Sequence, residues 1–435
     1  MFDVSGGVIL AAGKDMHGLI AELYPLCRSI SGEGLRETLR ILRGRIPIEI
    51  REVPTGTKMF DWTVPDEWNI RDAYVKDPRG RKVIDFQRSN LHVVGYSVPV
   101  RRSLPLRELR EHLFTLPDRP DWVPYRTAYA GGAWGFCLSH NQLLALEDGQ
   151  YEAVIDSTLG PGSLSYGELL IKGKLEDEVL ISTHACHPSL CNDNLSGVAV
   201  ATKLAQELMG RPLRYSYRFL FIPATFGSIA WLASHQGQVG RIKHGLVLAC
   251  VGDSGEITYK RSRRGDAEID RAMQHVLRRS GDGGRIIDYV PYGYDERQYC
   301  SPGFDLPVGC LSRTPHGRFP EYHTSADNLE FVKPGALAHS FATCLAVIDI
   351  LENDTRYRNL NPLCEPQLGR RGIYRSWADQ TDGGKDEMAL LWVLSLSEGR
   401  KSLLEIAERS GMPFDIIKKA ADILREHGLL EEISA

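Results

Sequence analysis

Residues 179–208, VLISTHACHPSLCNDNLSGVAVATKLAQEL, constrain the fold more than any other stretch of the chain. Val179-Leu180-Ile181 is a short apolar run without alternation, the pattern of a strand buried on both faces of a parallel sheet. A loop dense in Pro, Ser and Asn follows and carries His184, His187 and Asp193. Asn194-Leu195-Ser196-Gly197 then leads into helical spacing, with Val198, Ala201, Leu204, Ala205 and Leu208 on one stripe. Open α/β sheets place their ligand sites at the carboxyl ends of parallel strands. Imidazole and carboxylate are also donors that zinc accepts. On this stretch alone, the alternative is a pair of surface histidines beside an Asp that caps the helix.

The same strand–helix rhythm recurs downstream. Leu169-Leu170-Ile171 and Val179-Leu180-Ile181 read as neighbouring strands. Residues 218–223 and 245–251 read as two more, ending at Ala224-Thr225 and Gly252-Asp253. A helix over 269–278, a strand at 286–290 and a long helix from 334 to about 351 complete an α/β pattern with a mainly parallel sheet. Upstream, 16–42 reads as one or two helices broken at Ser31-Gly32, and 46–50 as an edge strand. Residues 61–150 differ in character: Trp, Tyr, Pro and short alternating runs at 83–86 and 93–96 predict a small, mostly β insertion, with Trp122, Tyr125, Trp134 and Phe136 as its core. The expected α/β domain is therefore 1–60 with 151–352.

Residues 352–384 read as a polar connection, and 385–435 as a separate domain. Helical patterns at 386–398, 403–409 and 414–427 with a β-like end at 428–433 outline a winged helix. That segment holds seven Lys/Arg against ten Asp/Glu, whereas a DNA-binding wing carries a basic face. A packing or protein-contact role is expected instead, including contact between copies of the chain. A net charge of −4 gives no argument for nucleic acid or anionic membrane. No run reads as the ~20 apolar residues of a spanning helix. Nine cysteines spread singly fit reduced thiols, and the apolar run at 8–13 is short for a secretory signal. The expected compartment is the cytoplasm.

The predicted strand ends offer His184 or His187 with Asp193, then Thr225, then Asp253, with His323 from a later loop. Hydrolytic zinc needs about three N/O ligands, an open position and a nearby carboxylate as general base. Asp193-Asn194-Leu195-Ser196-Gly197 after a strand-end His resembles the metal-bridging motif of the zinc-dependent aminopeptidases of phosphorylase/hydrolase-like fold. Residues 322–328, Tyr-His-Thr-Ser-Ala-Asp-Asn, resemble their final histidine motif. More closely, the chain resembles bacterial aminopeptidase-like proteins often labelled as polysaccharide-biosynthesis proteins, which combine this domain with an inserted β domain and a carboxy-terminal winged helix. Residues 183–189, 262–266 and 295–303 look like that family's signatures.

The resemblance implies zinc, one ion or two, held by His184, Asp193, Asp253 and His323, with Asp193 bridging and His187 either an alternative ligand or its neighbour. It implies cleavage of an amide bond in a small peptide or amino-acyl conjugate by zinc-activated water, with Tyr322 or Arg297 stabilising the oxyanion and the insertion walling one side of the cleft. Asp295, Glu296, Arg297 and Tyr299, with Arg263, are the expected substrate contacts. Arg264 and Arg313 join the arginines able to grip carboxylate or phosphate. Cys186 and Cys191 read as small buried fillers rather than soft ligands.

The chain departs from the pattern at one point. The peptidases carry adjacent glutamates after the third strand, the first a general base and the second a ligand, whereas this chain has Ala224 and Thr225. Thr225 is a poor zinc ligand, which favours one metal. Ala224 has no side chain to accept a proton. Three readings follow: an engineered inactive copy, a natural pseudoenzyme that binds or regulates, or a site where Asp295, Glu296 or Glu321 has taken over.

Overall fold

The computed structural model describes residues 6–129, 132–281, 283–380 and 387–433. Val179, Leu180 and Ile181 are at most 1% exposed, as an unalternating strand in mid-sheet requires. Their strand, Glu178–His184, lies between Ser216–Ile222 and Ile242–Leu248, parallel to both. Val308–Ser312 runs parallel beyond Ile242–Leu248. Glu49–Pro54 and Ser163–Ile171 extend one side antiparallel. On the other side Thr258–Lys260 is antiparallel to Val308–Ser312 and carries Arg285–Ile287 in parallel. The result is an eight-stranded mixed sheet with a parallel centre.

One adjacency corrects the sequence reading. Residues 169–171 and 179–181 are not neighbours, because Ser216–Ile222 pairs with both strands and separates them. Apolar runs announce strands but carry no information on partners. The inserted strand is secured by charge as well as burial. Arg218 donates to both oxygens of Glu178 at 2.6 and 2.8 Å and also pairs with Glu168, which accepts from the Trp231 indole at 2.9 Å. All four side chains are buried. Removing one partner of such a network costs about 3–5 kcal/mol, because it strands a desolvated charge.

The chain divides into two compact units, one spanning Asp3–Asp270 with Asp282–Cys344 and the other Arg271–Gly281 with Leu345–Ala435. Within the first unit the mostly β segment forms a four-stranded antiparallel sheet in the order Lys82–Asp85, Glu67–Lys76, Gln150–Gly160, Val100–Pro105. Trp68, Trp134 and Phe136 pack in its core, while Trp122 is only half-buried. The run 93–96, expected as a strand, makes only isolated bridges to Phe136 and Thr127. Its alternation is broken by the turn Asn90–His92 before it and by Tyr96 at φ +66°.

In the second unit Arg356–Asn359 sits between Glu398–Ser402 and Leu430–Ile433, antiparallel to each. That strand falls within the stretch read as a polar connection, as does the helix Ile373–Gln380. Four residues of alternating Arg, Tyr and Asn carry too little apolar signal to announce a strand. The helices Met388–Leu396, Leu403–Ser410 and Phe414–Glu426 complete a winged helix. The expected helix start at 386 lies outside the described residues. Ser402 and Glu405 form a reciprocal cap on the second helix, and this satisfies two otherwise orphaned amides. The helix Pro334–Asn353, contrary to the sequence reading, is long and apolar enough to cross a membrane by length and composition. Of its most apolar window 67% is buried inside the protein, as a core helix would be.

Candidate metal centre

His184 ends the central strand, and its Nε2 lies 2.9 Å from Asp193 Oδ1. His323 Nε2 lies 2.9 Å from the other oxygen, Oδ2, and His187 Nδ1 is 3.7 Å from that same oxygen. His184, His187 and Asp193 bring one donor atom each to within 4.8 Å of one another. Burial would raise the Asp193 carboxyl, but the hydrogen bonds it accepts from His184 and His323 outweigh it and hold it well below the usual range. Burial pushes the His187 imidazole down to about 3, so it is neutral with a lone pair free. Among the described residues its buried Nδ1 has no hydrogen-bond partner. An orphaned ring nitrogen beside two more imidazoles and a shared carboxylate is the N/O set that zinc takes, so the residues fit the metal.

Local chemistry fixes the carboxylate. Asp193 lies in a wide turn, Cys191–Leu195, ahead of the helix Ser196–Leu208, and departs from helical geometry together with Asn194. Asp327 accepts the backbone N–H of Asn192 at 2.6 Å and of Asp193 at 2.9 Å. Burial pushes the Asp327 carboxyl up to about 7 against those donors. Asn194 donates to Leu248 O at 3.0 Å and accepts from Cys250 N at 3.0 Å, which ties the turn to the next strand end. Gly197 permits that approach, since a Cβ there would stand 2.4 Å from Leu248 O.

Each imidazole lies against a tyrosine. Tyr294 stacks on His184 at 5.4 Å, Tyr322 stacks on His323 at 4.0 Å, and Tyr125 meets His187 and His323 edge-on at 5.3 and 5.1 Å. Tyr125 comes from the mostly β segment, whose chain also holds the His323 loop: Tyr125 N–H donates to His323 O at 2.8 Å, and Ser325 N–H donates to Val123 O at 2.8 Å. His323 sits at φ +56° in that loop. Sequence reasoning assigned Tyr125 to the core; it is buried, but it also walls the centre. It had not found Asp327, Asn194 or Tyr294 as members of the site, although the first two stand inside quoted motifs.

The remaining expected residues scatter. Asp253 does not join the cluster: its Oδ1 accepts from Thr314 and Gly255, both at 2.7 Å, and its Oδ2 from Asn192 at 2.9 Å. Ala224 does lie at the rim, two residues beyond Ile222, the register partner of His184. Thr225 follows it and precedes the helix Phe226–Ser234. Asp295 is fully buried and accepts from Ser228 at 2.7 Å, with Oδ2 unpartnered among the described residues; burial raises its carboxyl. Glu296 is fully buried and paired with Lys260. Tyr299 is buried under the sheet, bonded to Ser182 at 2.9 Å, so no substrate reaches it. Arg263 and Arg264 both pair with Asp305. Arg297 lies over the Tyr292 ring at 5.7 Å, and Arg313 packs near Ala336 and His339. Glu321 lines a separate cavity with Asp253 and Arg318. Cys186 and Cys191 are buried fillers at 1% and 0% exposure.

The mixed sheet with its strand-end His/Asp cluster is that of a zinc-aminopeptidase-type fold. At 13% identity the chain superposes on a zinc aminopeptidase from Bacillus subtilis with TM-score 0.56, covering 78% of this chain and 94% of that one. It superposes on an M28 peptidase precursor from Shewanella amazonensis with TM-score 0.52, also at 13% identity, covering 80% and 98%. The chain belongs to the family described as Domain of unknown function (DUF4910), matched over residues 17–354, followed by a winged helix-turn-helix match over 355–432. It is 53% identical over 96% of both chains to a Clostridium acetobutylicum protein described as a polysaccharide biosynthesis protein with aminopeptidase-like domain. A crystal structure from that organism, described as a peptidase, matches with TM-score 0.94 and 51% identity over 98% of this chain and 97% of that one.

Proposed function

We propose that the chain is a single-zinc, aminopeptidase-like amide hydrolase whose turnover is limited by Ala224. The observation that carries this reading is the orphaned His187 Nδ1 facing Asp193 in a cluster completed by His184 and His323. Those four residues supply the donors from which a site of three ligands and an open position would be built. Asp253, already satisfied by four donor groups, favours one metal over two. Bound zinc supplies Lewis-acid polarisation of the scissile carbonyl. Tyr322 supplies the second contact: burial raises its phenol far above the usual range, so it stays protonated and donates to the carbonyl oxygen as charge develops there. The Tyr125 wall orients the substrate and excludes water from one side. A missing general base costs about 10²–10⁴ in rate.

Ala224 also supports a second reading, a binding or regulatory protein that keeps the metal centre without turnover. The discriminating experiment is zinc content of the unchelated protein by mass spectrometry, followed by hydrolysis of amino-acyl p-nitroanilides by the zinc-loaded protein and its Ala224→Glu variant. One zinc per chain with activity gained in the variant supports the hydrolase. Zinc without activity in either supports the binding protein. Absence of bound zinc after reconstitution overturns both.

A further inference from the structure

The geometry points to an anion subsite beside the metal centre: a cavity in which Arg119 and Arg126 receive a carboxylate carried by the substrate. This rests on the hydrolase reading and adds the substrate class. The cavity has a volume of about 580 Å³ and is lined by Tyr322, His323 and Thr324 on one side and by Leu116–Arg119 and Pro124–Arg126 on the other. That volume lies within the usual range for small-ligand sites. Because His323 and Tyr125 form part of its wall, whatever fills it touches the candidate metal centre.

Two cations face that space. Arg126 lies over the Phe114 ring at 4.9 Å and Arg119 over the Trp122 ring at 5.4 Å. Stacking restrains a guanidinium while leaving its N–H edge free for bidentate oxyanion contact. Among the described residues neither arginine forms an ion pair, and Arg119 Nη1 donates to the Asp118 carbonyl at 3.2 Å while its other N–H groups remain available. Most arginines of the first unit behave otherwise, as Arg36 with Glu67, Arg71 with Asp156 and Arg218 with Glu178 illustrate. Asp118 is the one opposing carboxylate among the lining residues, which leaves the cavity net positive. Pro117, Pro124 and Pro320 stiffen its walls, so a ligand pays little ordering cost on entry. A peptide bearing an acidic side chain or a free carboxy-terminus satisfies both features: an amide at the centre and an oxyanion on the arginines.

The test is calorimetric binding to zinc-loaded protein, which needs no turnover. Leu-Glu, Leu-Gln, Leu-Gln amide and succinate are titrated into the parent chain and into an Arg119→Gln/Arg126→Gln variant, with zinc content measured in both. The amide is expected to bind about tenfold more weakly than a carboxylate peptide. That gap is expected to fall below twofold in the variant at unchanged zinc content. Loss of affinity between Leu-Glu and Leu-Gln identifies the side chain as the source; loss between Leu-Gln and its amide identifies the terminus. Equal affinity of all three peptides for the parent, or a gap that survives in the variant, overturns the subsite. If no peptide binds but succinate binds and depends on the arginines, the subsite stands and the amide-hydrolase reading falls. If neither peptides nor succinate bind, the subsite is overturned.

Discussion

His187 Nδ1 stands 3.7 Å from Asp193 Oδ2 and is buried with no hydrogen-bond partner among the described residues. A neutral imidazole in that position costs stability until something accepts its lone pair. Loss of outer-sphere partners alone lowers zinc affinity 10–100-fold. His187→Ala and His323→Ala are therefore each expected to weaken zinc by more than about 100-fold, measured by competition with a chromophoric chelator. Unchanged affinity in His187→Ala would remove that residue from the ligand set.

Ala224 lies two residues beyond Ile222, the register partner of His184, and packs against the core of the mostly β segment that includes Cys186. Ala224→Glu is expected to raise kcat/KM on an amino-acyl p-nitroanilide by about 10²–10⁴, with zinc content and Tm held. No gain under those conditions would argue that the proton-accepting position lies elsewhere, Asp295 being the next variant to make.

Asp327 takes the amide hydrogens of both Asn192 and Asp193. Asp327→Ala leaves two buried donors unsatisfied, at about 1–3 kcal/mol each, and frees the turn that aims Asp193. Loss of zinc affinity together with a lower denaturant midpoint is expected, whereas Asp327→Asn keeps one acceptor and recovers part of both. A variant that loses stability but holds zinc normally would assign Asp327 to folding alone.

His244 tests pH dependence away from the centre. It is 4% exposed, edge-on to Tyr215, and among the described residues both ring nitrogens lack hydrogen-bond partners. Burial, aided by Arg214 and Lys243, pulls it down from 6.5 to about 4. The folded state therefore favours the neutral ring. Its stability is full above the unfolded value of 6.5 and is lost as pH falls from there towards 4, by about 3 kcal/mol. His244→Phe is expected to raise stability near pH 5 and flatten the acid limb of a denaturant midpoint-against-pH curve. An unaltered limb would locate the acid sensitivity in other groups.

The sequence displayed the parts of this molecule whose signals are local. The strand 179–181, the turn through Asp193 and the stripe from Val198 to Leu208 are each written in burial or periodicity within thirty residues, and the three helices of the winged unit fall close to their expected bounds. What stayed hidden depends on distant partners. Whether Asp253 turns towards His184 is decided by Thr314 and Asn192. Arg263 looks available until Asp305 is beside it. Tyr299 sits in a polar run yet points under the sheet to Ser182. The aromatic wall at Tyr125 answers to a loop about 200 residues away, shown by the Val123–Ser325 bond at a separation of 202. Periodicity cannot carry such facts.

The Asp193–His323 contact spans 130 residues of chain. At ribosomal speeds of about 5–20 residues per second, roughly 7–26 s pass between the synthesis of one partner and the other. During that interval the nascent chain presents His184, His187 and Asp193 without the histidine that closes the set. A metal met then would find an incomplete site. On the proposed reading, selection of the ion would fall late in biogenesis, once residues 123–125 have docked the loop that delivers His323.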